Sequence, residues 1–360
     1  MSLIHRAGTA LLTAALAVAV VPGAPSHAAG ASRAPAGDGA HWLAGQLRHG
    51  VMHNGQFDFD DYGLTADTAL ALEAIGHHGT ALKKIRHALA RHVDDYTTYR
   101  TDRYAGSIAK LLVVAQQTGG DPTKFGGVDL VRRLEKRVAT KAPIAGRIED
   151  KSSSGDFANT IGQIFTARGL LKAGSASGGP ALRFLLKQQC DNGAFRLDFN
   201  ANKTAAVQGC TKSSDADTDV TALAVIELSW LRQAHPSLKA ALKSAVRWLR
   251  KHQARNGSFG GGGPTSAANA NSTGLAGWAF IVSGRCGPEH DAAVWVHRHQ
   301  VRGDVSGTPL AGERGAIAYD RSAMKAARHD GITKSTRDQW RRATAQAAPA
   351  LLALHSCIAA

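Results

Sequence analysis

Two carboxylates sit one residue apart in Asp217-Thr218-Asp219-Val220-Thr221-Ala222, and no other spacing in the chain points so directly to chemistry. Where such a pair opens a helix, crowded negative charge and burial raise a carboxyl pKa until the group can hold and deliver a proton. Comparable polar residues stand at other small-residue segments: Asp67 before Thr68, Asp156 before Thr160, and Asn269 and Asn271 before Thr273. Trp278, further along the last of these segments, is the aromatic candidate for ligand contact. All the acids and amides also read as helix caps, each stabilising its helix by about 0.5–2 kcal/mol through orphan amides and the helix dipole. Capping and ligand contact are compatible roles.

Other chemistries find less support. No Gly-x-Ser-x-Gly elbow precedes a helix, which argues against a serine hydrolase. The sixteen histidines are scattered, and pairs such as His77-His78 lack the helical spacing of metal ligands. The four cysteines, Cys190, Cys210, Cys286 and Cys357, have no close knuckle spacing, so zinc is not expected. An even number suggests two disulfides in an oxidising compartment. The economical pairing closes the short loop between Cys190 and Cys210 and ties the chain end, Cys357, to Cys286. No metal or other cofactor is expected.

That compartment agrees with the amino terminus. A basic start at His5-Arg6, an apolar run from Ala10 to Val21 and small residues at Ser26-His27-Ala28 predict a Sec signal peptide cut near Ala28. The apolar run falls short of the roughly 20 residues that span a bilayer, so no transmembrane segment is expected and the mature protein is read as secreted. A flexible leader is predicted for 29–38 and one folded domain for 39–360. The net charge of +15 is spread along the chain. Clusters at Lys83-Lys84-Arg86, Arg132-Arg133-Lys136-Arg137 and Arg247-Arg250-Lys251 fall in helical stretches, where they read as solvated outer faces. Nucleic acid is not expected, because stacking aromatics are scarce among them. An anionic cell-surface polymer is a better partner for such a charge.

Positioning the candidate residues requires a scaffold, and an internal repeat supplies it. The segment Ala181-Leu182-Arg183-Phe184-Leu185 through Gln189 to Asn192-Gly193-Ala194-Phe195 recurs as Ala245-Val246-Arg247-Trp248-Leu249 through Gln253 to Asn256-Gly257-Ser258-Phe259. A looser copy runs from Ala40-His41-Trp42-Leu43 to Asn54-Gly55-Gln56-Phe57. Each reads as a helix ended by a turn that needs positive φ. Smaller-residue helices follow at Thr68-Ala69-Leu70, Thr160-Ile161-Gly162, Thr221-Ala222-Leu223 and Thr273-Gly274-Leu275, with weaker copies near Ala105 and Arg314-Gly315. Small residues on one set and bulky basic ones on the other predict an all-α, α6/α6 toroid of about six helical hairpins, an inner ring inside an outer ring.

The pattern Ala-x-x-aromatic-Leu-x-x-x-Gln followed by Gly-x-aromatic resembles the prenyltransferase and squalene oxidase-type repeat of the terpenoid cyclase and protein prenyltransferase superfamily. The resemblance covers most of the mature chain, and the superfamily includes cyclases, prenyltransferase β-subunits, vitamin B12 carriers and complement-like thioester domains. For a squalene-type cyclase it implies an acid from an Asp-x-Asp-Asp-Thr-Ala motif; Asp217 and Asp219 match, and Val220 stands at the third acid. For a prenyltransferase it implies zinc held by Asp-x-Cys and a His, but Asp219 replaces the Cys and Asn271 lies where the His is expected. The thioester motif is met only by Cys286-Gly287, without its Gln. Sugar-degrading toroids need paired acids and an aromatic platform, which is not obvious here.

On these grounds the sequence favours a secreted, non-catalytic binder of a hydrophobic small molecule, or of a protein or peptide partner. The expected binding residues at the mouth are Asp67, Asp217, Asp219, Asn269, Asn271 and Trp278. The alternative is a divergent terpene cyclase or prenyltransferase-like enzyme using Asp217 or Asp219 as general acid.

Overall fold

A computed structural model describes residues 34–356. The expected signal peptide and Cys357 lie outside the described residues. In chain order the helices are α1 (Ala34–Gly45), α2 (Tyr62–Ile75), α3 (Gly79–Arg91), the short α4 (Val93–Thr97), α5 (Ala105–Gln117) and α6 (Leu130–Glu135). They continue as α7 (Thr160–Lys172), α8 (Gly178–Lys187), α9 (Thr218–Leu228), α10 (Pro236–His252), α11 (Ala270–Val282), α12 (Pro288–Arg298), α13 (Arg321–Asp330), α14 (Arg337–Ala347) and the short α15 (Ala353–Ser356). Among the described residues the strands are short and confined to the connections, in one three-stranded antiparallel sheet and two antiparallel pairs.

Helices α2, α5, α7, α9, α11 and α14 pack in that order and α14 returns to α2, closing an inner ring. The outer helices α3, α6, α8, α10 and α12 each pack on the inner helix before them, and α1 packs on α14 and the 3₁₀ turn that extends it, Ala348–Leu352. The fold is the expected α6/α6 toroid. Inner helices approach closely because their facing positions are small: a Cβ on Gly274 would lie 2.3 Å from the Cα of Ala347. The outer helices show the expected solvated basic face; Arg247, Arg250 and Lys251 are exposed, while Ala245, Trp248 and Leu249 of the same helix are buried.

The repeat has a physical logic that the sequence pattern only partly displays. After five outer helices comes a Gly-x-apolar turn: Gly50-Val51-Met52, Gly146-Arg147-Ile148, Gly193-Ala194-Phe195, Gly257-Ser258-Phe259 and Gly315-Ala316-Ile317. All five glycines have φ between 88° and 97°. A Cβ on any of them would fall 2.1–2.8 Å from a carbonyl oxygen of the next outer helix, so backbone passes backbone where only glycine fits. The apolar residue of each turn then donates its N–H to an inner-helix side chain: Met52 to Thr65, Ile148 to Gln163, Phe195 to Thr221, Phe259 to Thr273 and Ile317 to Thr344, at 2.8–2.9 Å. The motif glutamines link neighbouring outer helices, since Gln189 Nε2 donates to Gly193 and Ala241 carbonyls and Gln253 Nε2 to those of Gly257 and Pro288. Gln300 Nε2 reaches the carbonyl of Pro35, closing the ring onto α1.

Several expectations shift in register. The first copy turns at Gly50, not Gly55, and Met52 is fully buried whereas Phe57 is 69% exposed. The segment expected to start at Thr68 is helical from Tyr62, and the residues that meet the turns, Thr65 and Gln163, each lie one turn inside their helices. Arg314-Gly315 belongs to a turn; the inner helix it precedes is α14, after the inserted α13. The leader predicted through residue 38 is helical from Ala34, because Ala36 and Ala40 are fully buried and Gln300 anchors Pro35. Cys190 and Cys210 form the expected disulfide, with Cα atoms 4.9 Å apart. Cys286 is also disulfide-bonded.

Candidate functional site

The amino ends of the inner helices gather at one mouth of the ring, and the α9–α11 sector of that mouth holds the paired acids. A strand pair with Phe195 opposite Asp217 delivers the chain to α9. Asp217 caps the helix, its Oδ1 accepting from Val220 N–H at 2.9 Å, and Thr221 Oγ1 donates back to the Asp217 carbonyl at 2.6 Å. Asp219 therefore falls in the first turn.

Its surroundings depart from those of an ordinary cap. Asp219 Oδ1 is buried with no hydrogen-bond partner, and Ser272 Oγ and Asn271 Oδ1, in the first turn of α11, share that condition. Burial pushes the Asp219 carboxyl from its ordinary value near 3.8 up to about 6. The Ser272 hydroxyl beside it pulls the other way, and the negative charge of Asp217 adds to the rise.

The run Gly260-Gly261-Gly262-Gly263 lies directly on these acids. A Cβ on Gly261 would sit 2.9 Å from Asp219 Oδ2 and 3.0 Å from Ser272 Oγ, and one on Gly262 would sit 2.2 Å from Asp217 Oδ2. The loop is pinned by Gly261 N–H donating to the Thr265 carbonyl at 2.8 Å. It is a glycine lid over the carboxylates. Tyr319 closes the far side: its carbonyl accepts from Ala270 N–H at 2.7 Å, and burial followed by the charges of Asp219 and Asp320 raises its phenol pKa.

The other expected binding residues have different places. Asn269 is fully buried; its Oδ1 accepts from Ser272 N–H, and its Nδ2 donates to the Thr265 and Ala267 carbonyls, leaving no donor for a ligand. It braces the lid instead. Asp67 pairs with Lys110 Nζ at 2.7 Å on the α2–α5 side. Burial pulls the Lys110 ammonium down, but Asp67, Tyr96 and Asp61 more than offset this, and its pKa rises. Asp156 joins Arg147 and Lys203 in an ion-paired cluster. Trp278 lies toward the other end of α11, where it lines a cavity of about 450 Å³ with Trp230, Ile281 and Val282. The structure thus brings Asp217, Asp219 and Asn271 to one sector and separates them from Asp67 and Trp278.

Ser272 and Tyr319 are site neighbours that the sequence reading missed. Ser272 stands between Asn271 and Thr273, but only the packing of α11 on α9 brings it beside Asp219. Tyr319 has no local signal, because α13 intervenes between its turn and the inner helix α14. Among the described residues no three His, Cys, Asp or Glu side chains converge as metal ligands, and no helix is long and apolar enough to cross a membrane.

No family model matches the chain, and no curated protein matches it. Solved structures do. A protein from Actinoplanes superposes with a TM-score of 0.59 at 18% identity, covering 90% of this chain and 99% of that one. The type II terpene cyclase MstE from Scytonema gives 0.60 at 14% identity, covering 89% and 97%. The GH76A α-1,6-mannanase from Salegentibacter sp. HEL1_6 gives 0.59 at 13%, covering 89% and 100%. The chain is similar to these proteins over nearly its whole folded length, and the likeness establishes the α/α-toroid fold expected from the terpenoid cyclase-type repeat.

Proposed function

We propose that this chain is a secreted, cyclase-like enzyme that protonates its substrate with Asp219. The observation that carries the reading is the unpartnered, buried Oδ1 of Asp219 beneath the glycine lid. A carboxyl held near pKa 6 keeps its proton in mildly acidic medium and can still release it to a substrate, which matches a general acid to its working pH. Asp217 supports the raised value by its charge and holds the helix start in place. Moving the lid would uncover Asp219 and Ser272 together, so one loop controls access to the acid and to the unsatisfied hydroxyl beside it. The solved neighbours include a terpene cyclase and a mannanase, so the scaffold is compatible with proton-transfer chemistry, though fold alone does not fix function. The disulfides support a secreted location, since such bonds persist in oxidising compartments. The experiment is turnover of a panel of polyprenyl alkenes by the wild type and by Asp219→Asn. A loss of about 10²–10⁴-fold is expected for a removed general acid. Equal turnover by the two proteins would refute the reading.

A second reading rests on a different observation. One wall of the cavity is apolar, formed by Trp230, Trp278, Ile281 and Val282, facing the Arg168–Glu227 pair on the other, and Trp230 is 49% exposed. It supports a carrier of a hydrophobic small molecule or a docking site for a peptide partner. Native against denaturing mass spectrometry of the protein from its own culture medium tests this: a ligand released on denaturation, whose retention is lost in Trp278→Ala, is the expected result, and a bare native mass counts against it.

A further inference from the structure

A concave surface outside the ring mouth carries an unbalanced charge. Between α12 and α13 runs a groove of about 690 Å³. Helix α13 contributes Arg321, Lys325 and Arg328 at i, i+4 and i+7, on one face, and α12 contributes Arg298. All four side chains are exposed, and none has an ion pair or hydrogen bond among the described residues. The one carboxylate on the lining, Asp320, is engaged as the cap of α13, accepting from Ala323 N–H at 2.8 Å and Ser322 Oγ at 2.7 Å. The basic cleft near α6 also exposes Arg132, Lys136 and Lys151, but there Arg133 pairs with Asp94, Arg103 donates to backbone carbonyls and Arg137 lies near Asp150. The α12–α13 groove gathers four exposed cations against the one carboxylate of Asp320, and a concave surface focuses their field onto whatever enters it.

The geometry restricts the ligand. Arg321 to Arg328 covers seven residues of helix, roughly 10 Å, so a single small anion cannot touch the whole row but an extended one can. Trp295, in the floor, is 7% exposed and its ring stacks on His299 at 3.8 Å, which leaves little aromatic face for a base. Single-stranded nucleic acid binds through such faces.

We propose that the α12–α13 groove binds an extended, non-aromatic polyanion, a chain of phosphodiester or carboxylated sugar units. Binding proceeds by exchange of the polymer's counterions for Arg298, Arg321, Lys325 and Arg328, and so weakens with salt. The inference is independent of Asp219. The experiment titrates the intact protein with polyglycerol phosphate, with polygalacturonate and with a single-stranded oligodeoxynucleotide across a range of salt. The variants are Arg321→Glu/Lys325→Glu, its neutral counterpart Arg321→Gln/Lys325→Gln, and a control reversal, Arg132→Glu/Lys136→Glu. The exposed positions leave the fold intact, which an unchanged melting curve verifies. The α13 reversal is expected to weaken binding about tenfold or more and to lower the salt slope by about two, with the neutral pair in between and the control within about twofold. Whichever polymer binds more tightly identifies the source of the charge. Binding by neither polymer, equal loss in both reversals, or tighter binding of the oligodeoxynucleotide would overturn the proposal.

Discussion

At the carboxyl ends of α7 and α9, Arg168 and Glu227 are 7% and 1% exposed and paired with each other, with Glu73 as a further carboxylate near the guanidinium. At the amino end of the same α9, Asp219 is also largely removed from water, but no cation answers it and one of its oxygens has no partner. One helix thus carries a compensated buried charge at one end and an uncompensated one at the other. A buried ion pair is a structural solution whose members need each other. A lone buried carboxyl is better accommodated with its proton on, so in this environment it becomes an acid. The same contrast runs around the mouth, where Asp67 has Lys110 and Asp219 has only a hydroxyl and the backbone of a glycine loop.

Breaking the compensated end gives the largest expected effect. Glu227→Ala removes the partner of Arg168, leaving Glu73 as the remaining carboxylate near it, and should lower the unfolding free energy by about 3–5 kcal/mol in a denaturant titration. At the uncompensated end the sign reverses. The folded-state pKa of Asp219 lies above its unfolded value, so the native protein holds a proton that the unfolded chain has released between pH about 4 and 6. The stability this contributes is present below about pH 4 and lost as the pH rises through about 6. Asp219→Asn should therefore stabilise the protein by about 2–3 kcal/mol at pH 7 and be near neutral at pH 4, measured by melting at both. Lys110→Met turns Asp67 into a second unpaired acid; because both side chains keep about a fifth of their surface exposed, a cost of about 1–2 kcal/mol is expected. The smallest effect sharpens the role of the lid. Gly262→Ala must push the loop off Asp217, costing about 1 kcal/mol, and the exposed Asp219 should then titrate closer to the ordinary carboxyl value.

The toroid was legible because its periodic signals, the outer-helix aromatics, the glutamine and the Gly-x-aromatic turns, all serve packing that repeats. The copies that escaped the pattern use Met52, Ile148 and Ile317 in place of Phe, since the turn needs an apolar side chain and a free N–H rather than an aromatic ring. Ala34–Gly45 carries little helix signal of its own because it is poor in bulky residues; its helix forms through burial of Ala36 and Ala40 against partners near the chain's other end. At the site, spacing revealed Asp217 and Asp219 but not which of them caps and which is orphaned. That division depends on Ser272, Tyr319 and the height of the glycine loop, which only the packed ring brings together. Asp67 and Trp278 lie deeper along their helices than Asp219 does along α9, and Asp67 is taken up by Lys110, so neither joins the acid.

The central claim is that Asp219 is a proton-holding carboxyl while its neighbour Asp217 is an ordinary cap. Carbon-13 NMR titration of the aspartate carboxyl signals, with Asp219 assigned by its absence in Asp219→Asn, tests it most directly. The account predicts a signal with its midpoint near 6 that disappears in the variant. A midpoint at or below the ordinary 3.8 would contradict it.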